Sequence, residues 1–200
     1  MASGNYAQVV EPSRFGGPDR ASRSGIWVGI FAITMSFAAF TSALYVRQGS
    51  GDGTHIALPS VIYANTLALL LSSFTIEMSR RGIARGLGPE AFGLRKGMVW
   101  LVVTLVLGLA FVAGQYLAWR YLAAQGLYLA TNSNSSFFYV FTAMHGLHLL
   151  GGIAALVYLI GRTAGSNYRF RQSLFDGTAI YWHFMGVLWL YLLIVISTRL

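Results

Sequence analysis

Five apolar stretches, each free of Asp, Glu, Lys and Arg, divide the chain: residues 26–46, 58–76, 98–119, 137–160 and 178–197. A helix rises 1.5 Å per residue, so about 20 apolar residues cross the hydrocarbon core of a bilayer. The runs are continuous rather than alternating, which excludes the strands of a membrane barrel. An isolated strand would also leave its backbone polar groups unpaired in lipid, so each run is predicted to be a helix. All four prolines (Pro12, Pro18, Pro59, Pro89) fall outside the runs or in a first turn, where a missing N–H costs little. The expected fold is therefore an all-α membrane protein, a bundle of five transmembrane helices. Its connections are short, so neighbouring helices are expected to run antiparallel. Residues 1–24 read as a polar segment and 25–200 as the membrane domain. No cleavable signal peptide is evident, and the first run is expected to act as an uncleaved anchor. The Asn- and Ser-rich stretch 123–135 is expected to fold over the ends of the third and fourth spans.

Charge sets the orientation. Hydrophobic residues make up 56% of the chain and charged residues 10%, with a formal net charge of +8. A soluble domain carries about 25% charge, so this chain cannot solvate its own surface in water. Zero Cys removes disulfides, thiolate catalysis, iron–sulfur clusters and Cys-ligated zinc. Eleven basic residues fall on one side of the spans: Arg14, Arg20, Arg23, Arg80, Arg81, Arg85, Arg95, Lys96, Arg162, Arg169 and Arg171. Three fall on the other: Arg47, Arg120 and Arg199. The excess marks the cytoplasmic side, so the N-terminus is expected inside and the C-terminus outside. The basic surplus then belongs against anionic lipid, not nucleic acid.

Polar groups at membrane depth are where function is sought. Three of the four His fall in the runs, His145, His148 and His183, and His55 lies outside them. His145 and His148 are spaced i, i+3 and share one helix face. Gly146, Gly151 and Gly152 flank them and invite close helix packing. One reading is a metal or haem site. The other is a pair of neutral imidazoles bonding between helices, and depth favours it. His183 lies about 8 Å from the cytoplasmic end of its helix and His148 roughly 18 Å from the end of its own. A haem needs its two ligands level. Glu77 sits beside Arg80 and Arg81, and its i, i+4 spacing to Arg81 reads as a local ion pair. Trp27, Trp100, Trp119 and Tyr121 read as interface anchors. Trp182 and His183, with Arg169 and Arg171 on the same side, read as a candidate phospholipid headgroup site. A core so poor in ionisable chemistry suits a partner subunit better than a free-standing enzyme.

Several segments resemble one family. NTLALLLSSFTIEMSRRG at 65–82 resembles a helix of subunit III of the haem–copper oxidases. Residues 101–152 follow that family's next two helices through GLAFVAGQYLAW, AAQGLYLATNSNSSFF and FTAMHGLHLLGG. HGLH followed by a Gly pair is the most specific piece. YWHFMGVLWLYLL resembles the final helix. The likeness runs from about residue 25 to the C-terminus, and five spans match the short bacterial form.

The resemblance implies a non-catalytic subunit of a terminal oxidase, cytochrome c oxidase before others, in the bacterial cytoplasmic membrane. It implies no catalytic, metal or cofactor residues in this chain, with haem and copper held by subunits I and II. It implies packing against subunit I, a bound phospholipid, and support of proton uptake, oxygen access and sustained turnover. Cytochrome c or a quinol-linked subunit would supply the electrons. Three family carboxylates are absent: the first span has none, and Ala118 and Gly186 stand where acids are common. That leaves packing and lipid roles intact and puts proton buffering in doubt. The alternatives are an accessory subunit of a quinol oxidase or nitric oxide reductase, a His-ligated membrane cytochrome, or a small transporter. The last would have a charged midplane, which these spans lack. Bulky residues at Gly151 or Gly152 are expected to loosen helix packing.

Overall fold

The computed structural model describes residues 18–48, 60–85, 91–127, 133–163 and 168–199. They form five helices: α1 (Pro18–Gln48), α2 (Val61–Arg85), α3 (Ala91–Ala124), α4 (Ser133–Thr163) and α5 (Tyr168–Arg199). All five are long and apolar enough to cross a membrane, and no strand occurs among the described residues. The expected five-helix all-α architecture is what the chain adopts.

Every helix but α2 extends past both ends of its apolar run, and α2 extends past one. Hydropathy marks the hydrocarbon edge, whereas the backbone ladder continues until something stops it. The helices hold 25 to 34 residues, or roughly 38–51 Å at 1.5 Å per residue. That matches a bilayer with its headgroups, about 40–45 Å. α1 starts on Pro18, whose fixed φ and missing N–H suit a first helical position. α2 starts later than the apolar run, at Val61, where the Ser60 carbonyl accepts from Tyr63 N–H (3.1 Å) and Ala64 N–H (3.4 Å). At its other end, Glu77 binds Arg80 (2.9 Å) and Arg81 (3.0 Å), so the expected local pair is a three-residue cluster. α3 closes on a Schellman cap. Gly126 takes φ +79°, Leu127 N–H reaches Leu122 O (3.1 Å) and Gly126 N–H reaches Ala123 O (3.0 Å). Of the stretch 123–135, residues 128–132 lie outside the described residues. Its start is tied down where Tyr139 OH donates to Leu127 O at 2.8 Å.

α2, α3, α4 and α5 pack in a ring, each touching the next, and α5 returns to α2. α1 stands outside this ring, against α4 and α5. Consecutive helices α1 and α2 do not touch among the described residues, so chain neighbours are not all packing neighbours. α1 instead runs parallel to α5. Ile26 abuts Gly177 at one end, and Tyr191 OH donates to Thr41 Oγ1 (2.9 Å) at the other. Phe40 meets Phe141 of α4 edge-on at 6.4 Å. Much of the remainder of α1 is exposed, including Trp27, Val28, Phe31 and Met35.

The tightest pair is α2 with α3. Three levels mark their antiparallel register: Asn65 against Gly114, Thr75 against Thr104, and Ser79 against Gly97. A Cβ on Gly97 would come within 3.0 Å of the Ile83 backbone nitrogen and 3.2 Å of the Ser79 carbonyl oxygen. Small residues at such crossings let backbones approach, which is the main source of packing energy between helices in lipid. Polar side chains fill the seam. Ser79 Oγ donates to Gly97 O (2.7 Å), and the Thr75 and Thr104 hydroxyls lie 2.8 Å apart. Each Thr also reaches a carbonyl of its own helix, Ser72 O and Trp100 O, both at 2.9 Å. A hydroxyl carries one proton, so two protons serve three contacts. Replacing Thr75 with Val removes the bridge and keeps the shape. The expected loss is about 0.5–1.5 kcal/mol, read by unfolding in mixed micelles, and an unchanged midpoint would show that the pair carries no stability.

Candidate functional site

Side chains of α5 organise the interior. Trp182 and Trp189 are seven residues apart, two turns on one face, and both are buried. The Trp182 indole N–H donates to Ser72 Oγ of α2 at 2.9 Å. Its ring lies against Gly108 of α3, where a Cβ would come within 2.7 Å of Cη2, and against Gly152 of α4. The Trp189 indole N–H donates to Thr66 Oγ1 of α2 at 2.9 Å. Its ring meets Phe111 of α3 at 4.8 Å, edge-on, and His145 of α4 at 5.1 Å. Each indole therefore touches all three other helices of the ring. Tyr181 adds a third tie, donating to the His148 carbonyl at 2.8 Å. Trp119 adds a fourth, donating to Thr142 Oγ1 at 3.0 Å.

The structure separates the two histidines of HGLH. His145 is fully buried and faces the ring interior, between Phe111 (5.8 Å) and Trp189. His148 faces outward to Phe37 of α1 at 6.0 Å, and its Nδ1 pairs with the Met144 carbonyl of its own helix at 2.7 Å. The expected imidazole bonds between helices are not present. The i, i+3 spacing carries the ring-to-α1 divide instead. His183 is half-buried and lies within electrostatic reach of Glu77 and Arg80, far from the level of His145. Among the described residues no three metal-ligating side chains come together.

Trp182 stands in the middle of the bundle rather than at a lipid surface, with its N–H engaged, so it is a packing residue and leaves the headgroup site. The Arg169 and Arg171 side chains lie outside the described residues. The three glycines also differ. Gly152 is pressed against Tyr181 (3.2 Å) and Trp182 (3.3 Å), Gly151 has only ordinary contact with Tyr181 (3.8 Å), and Gly146 faces open space. The close approach within the chain is thus at Gly152. Of the aromatic anchors, Trp27, Trp100 and Tyr121 are exposed, whereas Trp119 is a partly buried tie between helices. Near Glu77, Asp176 of α5 approaches Arg80 (3.8 Å) and links α2 to α5. Positions 118 and 186 are closed. Ala118 is fully buried, and a Cβ on Gly186 would lie 3.2 Å from Ser73 Oγ.

Sequence reasoning missed Ser72 and Thr66 of α2 and Gly108 of α3, which meet α5, and Gly97 and Gly114 of α3, which meet α2. Their signal was present as small or hydroxylated residues inside apolar runs or, for Gly97, at the edge of one, but only the partner's register tells a seam residue from a lipid-facing one. The interior offers hydrogen bonds and close packing and, among the described residues, no acid–base pair at depth.

The family model for cytochrome c oxidase subunit III matches residues 25–198. The chain is 38% identical to a probable cytochrome c oxidase subunit 3 of Mycobacterium tuberculosis over 171 residues, 85% of this chain and 79% of that protein. It is 38% identical to the probable subunit 3 of Mycobacterium leprae over 132 residues, 66% of this chain and 62% of that one, just under two thirds of its length. It is 29% identical to a cytochrome c oxidase subunit 3 of Synechocystis over 177 residues, 88% of this chain and 70% of that protein.

Two substitutions separate the roles of Trp182. Trp182→Phe removes the indole N–H and keeps most of the ring, with an expected cost of about 1 kcal/mol. Trp182→Ala opens a cavity among four helices and is expected to cost about 3–5 kcal/mol. Equal losses would mean the hydrogen bond, not packing, dominates. At the glycines, Gly152→Leu is expected to destabilise by about 1–3 kcal/mol or more, and Gly151→Leu by less than about 0.5 kcal/mol. Thermal unfolding in detergent ranks the two, and the reverse order would refute this packing.

Proposed function

The chain belongs to the cytochrome c oxidase subunit III family, and on that premise we propose that it packs against the haem-bearing subunit I of cytochrome c oxidase and sustains its turnover. Membership makes it an accessory subunit of a haem–copper oxidase and a multi-pass membrane protein. The match across residues 25–198 is the observation that carries the reading. In this proposal subunits I and II hold the haem and copper, cytochrome c supplies electrons and dioxygen accepts them. This chain supplies a hydrogen-bonded apolar scaffold.

The finer roles follow from the surface. Large apolar side chains such as Phe31, Leu67, Phe74, Val106 and Ile194 are exposed and suit lipid chains or a partner's helices. We place phospholipid there, with headgroups near the basic end that carries Arg80, Arg81 and His183. Lipid held against these faces would offer dioxygen an apolar route to subunit I. Support of proton uptake would run through charged groups at that same end, since the buried positions 118 and 186 carry no acid. The eleven-to-three distribution of basic residues supports an N-terminus in the cytoplasm of a bacterium and a C-terminus outside.

Purification through a tag on this chain in mild detergent tests the partner. A many-helix haem protein and a copper subunit are expected to accompany it, with oxygen consumption driven by reduced cytochrome c. A complex that oxidises quinol, or reduces nitric oxide, would reassign the chain to that relative. Recovery of the chain alone would overturn the reading. Complex stripped of this chain is expected to start at a similar rate and to lose activity sooner over repeated turnovers.

A further inference from the structure

Around Trp189 the four ring helices meet in a closed circuit of contacts. Asn65 of α2 lies against Gly114 of α3, where a Cβ would come within 2.8 Å of its amide carbon. Gln115 follows Gly114, one turn beyond Phe111 on the same face of α3. Phe111 meets His145 of α4, His145 meets Trp189 of α5, and Trp189 bonds back to Thr66, the neighbour of Asn65. The cross-helix pair Trp119–Thr142 sets the register of α3 against α4, and it puts Gln115 at the depth of His145.

Three polar side chains in this circuit are buried and unsatisfied. His145, Gln115 and Asn65 are 0%, 4% and 5% exposed. Both ring nitrogens of His145, both amide atoms of Gln115 and the Asn65 nitrogen have no hydrogen-bond partner. The polar groups nearby are already committed. The Trp189 N–H is given to Thr66, and the Thr66 hydroxyl donates to Ile62 O at 2.9 Å. A buried amide or imidazole without partners is strongly disfavoured, and more so in a bundle that lies in lipid. Three of them, on three helices and near one level, each call for donors or acceptors that no protein group supplies.

We propose that Asn65, Gln115 and His145 bind a small cluster of water inside the bundle. The chemistry selects this ligand. Among the described residues the site has no cationic group for an anion and no carboxylate or thiolate for a metal ion. It is closed to large solutes, because each residue is almost wholly buried. Water offers two donors and two acceptors. It can therefore accept from the amide of Gln115 or Asn65 and satisfy either nitrogen of a neutral imidazole in one step. The cluster bridges α2, α3 and α4 and sets them in register at the level of Trp189. This inference stands on the chain's own interior and does not depend on the oxidase reading.

Infrared spectroscopy of the intact chain in its native assembly tests it, with ordinary water exchanged for water carrying the heavy oxygen isotope. The wild type is expected to show O–H stretching bands of buried water that shift on exchange. His145→Phe and Gln115→Leu are each expected to lose part of those bands. No isotope-sensitive band in the wild type, or the same bands in both variants, would overturn the proposal. A high-resolution density map of the wild type decides independently of how the variants fold. Discrete peaks between Gln115 and His145 support the cluster, and an amide in direct contact with the imidazole refutes it.

Discussion

A single indole wedge sets the geometry of the bundle. In water, burying Trp182 would draw helices together through the hydrophobic effect. Lipid tails are as apolar as Leu, so in a membrane that drive is absent and packing fit takes over. Trp182 fits because Gly108 and Gly152 leave room for its ring on two sides, and Ser72 accepts its N–H on the third. The large side chain comes from α5 and the small ones from α2, α3 and α4. Remove the room and the ring cannot enter; remove the ring and the three helices face a void. Trp189, two turns on, repeats the arrangement with Thr66, Phe111 and His145. α5 is therefore the element on which the four-helix ring is centred.

The hydroxyl groups along the α2 seam have a second function. Thr66, Ser72 and Thr75 each bond a carbonyl of their own helix and also a group on a neighbour. The local bond keeps the hydroxyl satisfied while the helices separate or join, so the cross-helix bond adds only a modest energy. Its larger effect is on register. A shift of one residue would take Trp182 off Ser72, Trp189 off Thr66 and Thr75 off Thr104 together. Modest bonds spaced along one seam thus exclude slipped packings more strongly than they stabilise the correct one.

The five helices were legible because each apolar run is long, uncharged and continuous, a signal that needs no partner to be read. Helix ends were less legible. α5 begins at Tyr168 rather than near 178, since a helix in the headgroup region needs no apolar sequence. The arrangement was less legible again. Nothing in the spacing of α1 and α2 foretells that they stand apart, because that depends on which faces α4 and α5 leave open. Trp182 shows the limit most clearly. At one turn into an apolar run, an indole belongs equally well at a headgroup or in a core. Gly108, Gly152 and Ser72, each thirty or more residues away in the chain, decide between them. HGLH was legible as a marker of the family, but its two rings, neighbours on α4, meet different helices, Trp189 of α5 and Phe37 of α1, and so could not be assigned one role from spacing.

The closed interior also bears on what an accessory subunit of this kind can do. Ala118 is buried without free surface, and Gly186 brings Ser73 to the edge of the space a side chain would need. An acid side chain at Gly186 would meet the Ser73 hydroxyl and one at Ala118 would be wholly enclosed, and a carboxylate buried at depth without a cation is strongly unfavourable. Close packing at these two positions leaves little volume for a longer, ionisable side chain. Charge in this chain concentrates at the end that carries Glu77, Arg80, Arg81 and Asp176, outside the ring's interior. The core, by contrast, acts through shape.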